Sequence, residues 1–109
     1  MPQATFVQEG MSIDYTPGAD VAAGDVVVQG DLVGVAKTAI KAGVLGALAV
    51  AGVFDFARTG GSVYTVGTIL YWDDTANVVT TTSAGNKLLG KSVKLSTPSD
   101  STARVRLSQ

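Results

Sequence analysis

The stretch that decides the fold is Gly24-Asp25-Val26-Val27-Val28-Gln29-Gly30-Asp31-Leu32-Val33-Gly34-Val35-Ala36. Two valine-rich runs, Val26–Gln29 and Leu32–Ala36, flank the dipeptide Gly30-Asp31. A glycine at the first central position supplies the positive φ that a two-residue type II′ hairpin turn requires. Three consecutive valines indicate a strand that is covered on both faces. The stretch therefore predicts the central β-hairpin of a compact all-β domain.

Further β patterns, separated by turn signals, surround this hairpin. Ser12–Thr16 alternates and ends at Pro17-Gly18, where proline pre-sets a turn. Val63–Val66 is compatible with either a short strand or a loop. The remaining predicted strands are Thr68–Trp72, Val78–Thr82, Lys87–Leu95 and Ala103–Leu107. About nine short strands favour a β-sandwich or barrel-like domain. We assign this domain to residues 11–109 and an extended N-terminal arm to residues 1–10.

The most apolar segment is Val44–Phe56. Its alanines favour a helix, but its glycines each cost about 1 kcal/mol relative to alanine in a helix. As a strand, it places Ala47, Ala49 and Ala51 on one face, where another sheet or subunit could approach closely. We therefore predict a strand. The segment is well short of the ~20 residues that a membrane span needs.

Composition excludes several kinds of chemistry. The chain has no cysteine and no histidine, which removes disulfides, thiolate metal sites and Ser-His-Asp or Cys-His mechanisms. A net charge of −1 leaves no basic footprint for nucleic acid. Met1–Phe6 lacks the features of a signal peptide, so we expect synthesis in a reducing cytosol. We predict no catalytic, cofactor-binding or metal-binding residues, and neither a nucleic-acid nor a membrane partner.

The surface has few charges available to cover it. Charged residues make up 16% of the chain, against about 25% in ordinary soluble domains, and the mean hydropathy is +0.31. Two interpretations stay open from composition alone. Either the fold is unusually rich in small residues, or part of its surface is buried against partners.

One segment matches a nucleotide-binding motif. Gly85-Asn86-Lys87-Leu88-Leu89-Gly90-Lys91-Ser92 fits the Walker A pattern G-x-x-x-x-G-K-[ST]. A working phosphate loop needs a buried strand before it and a helix N-terminus after it. Here a polar run, Thr80–Ser83, precedes the motif, and a β-like segment that ends at Pro98 follows it. We therefore interpret Gly85–Ser92 as a turn and an ordinary strand.

Three smaller patterns have structural interpretations. Asp73-Asp74 could join Asp14 or Asp55 in a cation site, but its spacing does not match a calcium loop, and a turn start explains it better. Tyr71-Trp72 fits core and edge packing, because no basic residues flank it for base stacking. Arg104 and Arg106 share one strand face, which either lies in solvent or pairs with an acidic partner.

Seven short segments follow one another along the chain in a recognisable order. They are Phe6–Gly10, Ile13-Asp14-Tyr15, Gly24–Val27, Gly34-Val35-Ala36, Ala49–Phe54, Tyr71-Trp72-Asp73 and Ala103–Leu107. Their order resembles that of the capsid cement, or head decoration, proteins of tailed phages. The resemblance covers essentially the whole chain, and its specificity comes from the order of these short motifs.

The resemblance implies a structural virion protein without enzymatic activity. It implies a homotrimer on the outer surface of the mature head that bridges neighbouring major capsid proteins. The N-terminal segment could add a strand to the capsid surface. Family members are often labelled as RecA/RadA-type recombinases, which would need a parallel ATPase sheet that this β pattern does not supply.

Two other classes of protein compete with this interpretation. An ATP-dependent recombination factor would depend on the Gly85–Ser92 match. A carbohydrate-binding β-module would need several exposed aromatic side chains. The chain has only seven aromatic residues of the Phe, Tyr and Trp types, and the core needs some of them.

Overall fold

The computed structural model describes residues 3–6, 8 and 10–109, and these residues form nine strands and no helix. This confirms the predicted all-β class. The strands are β1 Ser12–Tyr15, β2 Val26–Gln29, β3 Leu32–Val35, β4 Gly46–Ala49, β5 Gly52–Ala57, β6 Ile69–Asp73, β7 Val78–Thr80, β8 Lys87–Ser92 and β9 Thr102–Leu107.

The strands form two antiparallel sheets. The four-stranded sheet has the order β1-β4-β3-β2, and the five-stranded sheet has the order β5-β9-β8-β6-β7. Arg58, directly after β5, forms an isolated parallel bridge with Val79 of β7. The two edges of the five-stranded sheet therefore meet at this point, and the sheet curls into a partly closed barrel. Strand β3 lies against β8, which brings the two sheets together.

The hairpin predicted from the central stretch is present. Strands β2 and β3 pair from Val26 with Val35 to Gln29 with Leu32. Gly30 has a φ of 61°, whereas Asp31 has a negative φ, as a type II′ turn requires. Within β2, Val26 and Val28 contact the large core while Val27 contacts a second cluster. The predicted coverage of both faces is confirmed.

The large core lies between the barrel and the near face of the four-stranded sheet. The ring centroids of Phe56 and Trp72 are 5.9 Å apart at its centre. Strand β9 alternates between buried and exposed residues, as its sequence predicted. The buried members are Val33, Val35, Phe56, Tyr64, Leu70, Trp72, Val79, Leu89, Ala103, Val105 and Leu107.

A small core covers the far face of the four-stranded sheet. Its buried members are Ala36, Ile40 and Leu48. The loops on either side of the hairpin close over this face, where Val21 and Ile40 form an antiparallel bridge. Partly buried side chains pack around it, namely Ile13, Tyr15, Val21 and Val27.

The segment Val44–Phe56 forms strands, as predicted, but it is not one continuous strand. Its first part is β4, which pairs with β1 and β3, and its second part is β5, which pairs with β9 in the other sheet. Gly52 begins β5 with a φ of 117°, which redirects the chain. The predicted alanine face is wrong as a single surface, because Ala47 is exposed, Ala49 is buried and Ala51 precedes β5.

Arg58 is a buried cation that organises the loops at one end of the barrel. Its Nη1 donates to Ser96 Oγ at 2.6 Å and its Nη2 to the Ser62 carbonyl at 2.6 Å. The guanidinium carbon also lies 4.3 Å from the centroid of the Tyr64 ring. The undecided segment Val63–Val66 is a loop, held by a bridge between Tyr64 and Ser96.

Gln109 connects the two sheets. Its Oε1 accepts the Val33 N–H and its Nε2 donates to the Val33 carbonyl, both at 2.6 Å. The side-chain amide thus satisfies both backbone groups of a residue in β3, as a neighbouring strand would.

The predicted N-terminal arm falls partly outside the described residues, which do not include Met1, Pro2, Val7 and Glu9. Phe6 is 77% exposed. Gln8 Nε2 donates to the Ser12 carbonyl at 2.7 Å. The extended arm therefore stays a prediction.

Candidate interaction surface

The Walker-like segment does not form a phosphate loop. Gly85 and Asn86 lie in a turn, and the rest of the motif is β8. Ser92 is 1% exposed and its hydroxyl donates to the Lys94 carbonyl at 2.9 Å. Because the segment is an ordinary strand whose serine is buried and already bonded, it cannot cradle phosphates at a helix N-terminus. The interpretation made from the sequence is confirmed.

The acidic pair after Trp72 is part of a turn. Asp73 Oδ1 accepts the N–H groups of Thr75 and Ala76, each at 3.0 Å. Asp74 Oδ1 accepts the Trp72 indole N–H at 3.1 Å. In the part of the chain that the structure describes, no three carboxylates lie close enough to hold a metal ion. The turn interpretation is confirmed, and the proposed association of Asp73-Asp74 with Asp14 or Asp55 is not formed.

A groove of about 510 Å³ runs between β2 and β5, which are edge strands of different sheets. Phe54 and Trp72 supply its apolar wall. Asp25 lies at its rim, where its carboxylate accepts the Ala22 N–H at 3.0 Å. Among the described residues that line the groove, no nucleophilic side chain lies beside a general base, and the Asp25 carboxylate is already hydrogen-bonded.

The more informative surface is the outer face of the five-stranded sheet. The pairing registers of β5, β9, β8 and β6 place one row of outward-pointing side chains side by side across these four strands. A β-bulge between β6 and β8 turns both Leu89 and Gly90 inward, so that Leu88 and Lys91 point outward. We define the outer face by the row Val53, Arg106, Lys91 and Ile69, together with Asp55, Arg104, Tyr71 and Leu88.

Charges on the outer face fall into two groups. Arg104 Nε and Nη2 donate to the two carboxylate oxygens of Asp55 at 2.9 and 3.2 Å. These hydrogen bonds lower the pKa of Asp55 and raise that of Arg104. Arg106 and Lys91 lie directly opposite each other, and among the described residues neither has a carboxylate within 4.0 Å. The prediction that Arg104 shares an exposed face with Arg106 is confirmed, although Arg104 pairs with its own chain.

Exposed apolar side chains occur on other parts of the molecule too. Twelve large hydrophobic residues are exposed among those described. Met11, Val44 and Leu45 flank β1 and β4, whereas Val63 and Val66 lie in the loop beside Arg58. The molecule is elongated, with extents of 50 × 34 × 23 Å. Apolar contact surface is therefore available on well-separated parts of the chain.

Sequence reasoning missed the pairing of Lys91 with Arg106 and the roles of Arg58 and Gln109. The alternation of β9 showed that Arg106 points outward. It did not show which residue of β8 lies beside it, because that depends on the bulge and the register. A lone arginine in a loop and a glutamine after a strand carry no recognisable signal.

Among the described residues, the outer face of this small all-β domain combines exposed apolar side chains with two adjacent cations that have no carboxylate partner, a combination typical of structural, protein-binding modules. The Phage cement protein family matches residues 7–107, nearly the whole chain. The chain belongs to this family and is a structural protein of the phage capsid. No curated protein and no solved structure matched it. No helix in the described residues is long and apolar enough to cross a membrane.

Proposed function

We propose that the chain forms a homotrimer on the outer surface of the mature head, where it bridges neighbouring major capsid proteins and stabilises the shell. Membership of the cement family supports association with the capsid. The trimer, the bridging contact and the outer location go beyond that membership.

The observation that carries this proposal is the spread of exposed apolar residues over an elongated molecule. A bridging subunit must contact several partners at once, so it needs more than one apolar surface. Val53 on the barrel and Leu45, in the loop that leads into β4 of the other sheet, are 53% and 66% exposed. Because the chain also carries few charges, this distribution of exposed apolar residues is more typical of a surface that is buried against several neighbours than of a surface that stays in solvent.

The N-terminal segment is the proposed contact with the capsid. Residues 1–10 precede β1, and Phe6 presents an aromatic ring to solvent. An extended segment can add a strand to a sheet edge on another protein, and an exposed aromatic side chain can anchor it in a pocket. Three such contacts in one trimer would add avidity even when each is weak.

Co-sedimentation with undecorated heads tests the proposal. We expect saturable binding to expanded shells, at one trimer for each local three-fold site, and a higher melting temperature of the decorated head. Compact precursor shells provide the comparison for dependence on maturation. Absence of binding to expanded shells, or an unchanged melting temperature at saturation, would refute the function.

A matched pair of variants tests the N-terminal contact. Phe6→Ser should weaken binding to heads while leaving the melting temperature of the free protein unchanged, because Phe6 is mostly exposed. Thr5→Ser, an exposed neighbour, is the control and should bind as the wild type does. Equal binding by both variants would place the contact elsewhere.

A further inference from the structure

We propose that the outer face of the five-stranded sheet in one copy docks on the four-stranded-sheet half of the next copy around the trimer. In this contact Lys91 and Arg106 meet exposed carboxylates of the neighbouring copy. The inference rests on the proposed trimer and names the surfaces that build it.

The first observation is a like-charge pair that no carboxylate among the described residues neutralises. Lys91 and Arg106 are direct cross-strand neighbours on β8 and β9. Like charges directly opposite each other destabilise a sheet. Arg104, one position along the same face, is paired with Asp55. Since the described residues neutralise Arg104 and not the adjacent Lys91 and Arg106, a carboxylate of another copy is the counterion that we assign to these two cations.

Apolar side chains border this cationic pair. Val53 and Ile69 stand at the two ends of the row and are 53% and 48% exposed. Leu88, turned outward by the bulge, is also exposed. Apolar contacts around a charge pair exclude water and strengthen the electrostatic attraction. The row therefore places two cations between apolar side chains that would shield an ion pair to a neighbouring copy from water.

The second observation is that the complementary charge lies on the same chain. Residues 1–50, which contain β1 to β4, carry five acidic and two basic side chains. Residues 51–109, which contain β5 to β9, carry four acidic and six basic side chains. The four-stranded half is thus acidic and the barrel is basic.

Two carboxylates of the acidic half are suited to receive the cations. Asp14 on β1 and Asp25 before β2 are exposed, and neither forms an ion pair with another described residue. The other two described acidic residues of this half are already paired, Asp20 with Lys41 and Asp31 with Lys87.

A cyclic trimer requires this kind of asymmetry. Each copy in such a ring uses two different patches, one toward each neighbour. A basic patch that meets an acidic patch satisfies this requirement. The same charges oppose a two-fold dimer built from two outer faces, since that contact would bring cations onto cations. The charge pattern therefore favours a closed head-to-tail ring.

Sedimentation velocity of two charge-reversal variants tests the contact. Arg106→Glu should weaken trimer formation at least tenfold without lowering the melting temperature of the monomer, because Arg106 is exposed and the reversal removes its like-charge contact with Lys91. Lys37→Glu makes the same change of charge on an exposed loop of the acidic half. It should trimerise at least as strongly as the wild type does, because it adds negative charge to the half that receives the cations. Trimerisation of Arg106→Glu at wild-type strength would overturn the inference.

Zero-length carbodiimide cross-linking locates the partner carboxylate, both in solution and on decorated heads. With mixed ¹⁴N- and ¹⁵N-labelled protein, we expect peptides that join Lys91 of one copy to Asp14 or Asp25 of another. Cross-links from Lys91 only to capsid carboxylates would overturn the inference while leaving the cement function intact. Wild-type protein that neither binds heads nor trimerises would instead refute the proposed function.

Discussion

The two sheets of this domain differ in how they are stabilised. The five-stranded sheet curls around a large core that includes Phe56 and Trp72. Among the described residues, the far face of the four-stranded sheet covers three buried side chains, Ala36, Ile40 and Leu48. Regions with few buried apolar contacts open at lower free energy than the main core. The barrel therefore provides most of the stability, and the four-stranded sheet depends on its contact with the barrel.

Strand β3 is the element through which this dependence acts. Val33 and Val35 belong to the four-stranded sheet but are buried in the large core. Gln109 adds hydrogen bonds to Val33 at the same junction. Changes in the barrel should therefore unfold the whole domain, whereas changes in the small core should loosen one sheet.

The largest expected effect is at the bulge of the barrel. A Cβ added to Gly90 would overlap the carbonyl oxygen of Arg106 on β9. Because that oxygen is backbone, it cannot rotate away, and Gly90→Val should cost about 4 kcal/mol or more and abolish stable folding. Chemical denaturation, read by circular dichroism, measures the effect.

Gly18 provides the control for this substitution. A Cβ at Gly18 meets nothing within 4 Å. Gly18→Ala should therefore change the free energy of unfolding by less than about 0.5 kcal/mol. Similar stability for Gly90→Val and Gly18→Ala would show that the barrel tolerates distortion at the bulge. This result would contradict the conclusion that the barrel provides most of the domain's stability.

Matched leucine truncations compare the two cores directly. Leu70 is 0% exposed in the large core and Leu48 is 1% exposed in the small core. Leu70→Ala should cost about 4 kcal/mol and Leu48→Ala about 2 kcal/mol, because loops surrounding the small core can collapse into the cavity. Denaturant titration gives both values. Equal losses would show that the small core is as rigidly packed around Leu48 as the large core is around Leu70.

Removing the hydrogen bonds between Gln109 and Val33, which connect the two sheets, should have a smaller effect. Gln109→Ala deletes two hydrogen bonds to Val33 and should lower the free energy of unfolding by about 1–2 kcal/mol. Gln29→Ala, at an exposed position of β2, is the control. Native-state hydrogen exchange should show faster exchange of the backbone amides of the four-stranded sheet in Gln109→Ala. Unchanged exchange of these amides would show that Gln109 does not stabilise that sheet.

The smallest effect concerns acid stability of the outer face. The hydrogen bonds from Arg104 lower the pKa of Asp55 below 3.8. The folded state thus favours the ionised carboxylate. The resulting stability is present above the unfolded pKa and is lost as the pH falls through the lower folded pKa. Asp55→Asn should make the free energy of unfolding less dependent on pH below about 4.

Arg104→Gln serves as the counterpart, since it removes the same ion pair from the other side. In both variants the free energy of unfolding, measured from about pH 2 to pH 6, should fall less steeply with decreasing pH than in the wild type, and to a similar extent. A fall as steep as that of the wild type in both variants would show that this pair makes no contribution to the barrel.

The sequence predicted the local elements of the fold well. The hairpin of β2 and β3 followed from Gly30-Asp31 between valine runs, and the exposed and buried faces of β9 followed from alternation. These features depend on neighbours in sequence. The break in Val44–Phe56 was not predicted, because the sequence does not show that β4 and β5 join different sheets or that Gly52 has a positive φ.

The candidate interface was predictable only in part. Low charge content left a buried surface as one of two open interpretations, and the alternation of β9 placed Arg104 and Arg106 on one face. The partners of these arginines were not predictable. Asp55 lies 49 positions from Arg104, and Lys91 faces Arg106 through a register that a bulge sets.

The buried Arg58 has a consequence for how one end of the barrel moves. Its guanidinium holds Ser62, Ser96 and the Tyr64 ring, which belong to two separate loops. Neither loop can detach without leaving a buried cation short of hydrogen-bond acceptors, which is costly. Backbone amides in both loops should therefore exchange with deuterium at a common rate. This end of the domain opens and closes as one cooperative unit.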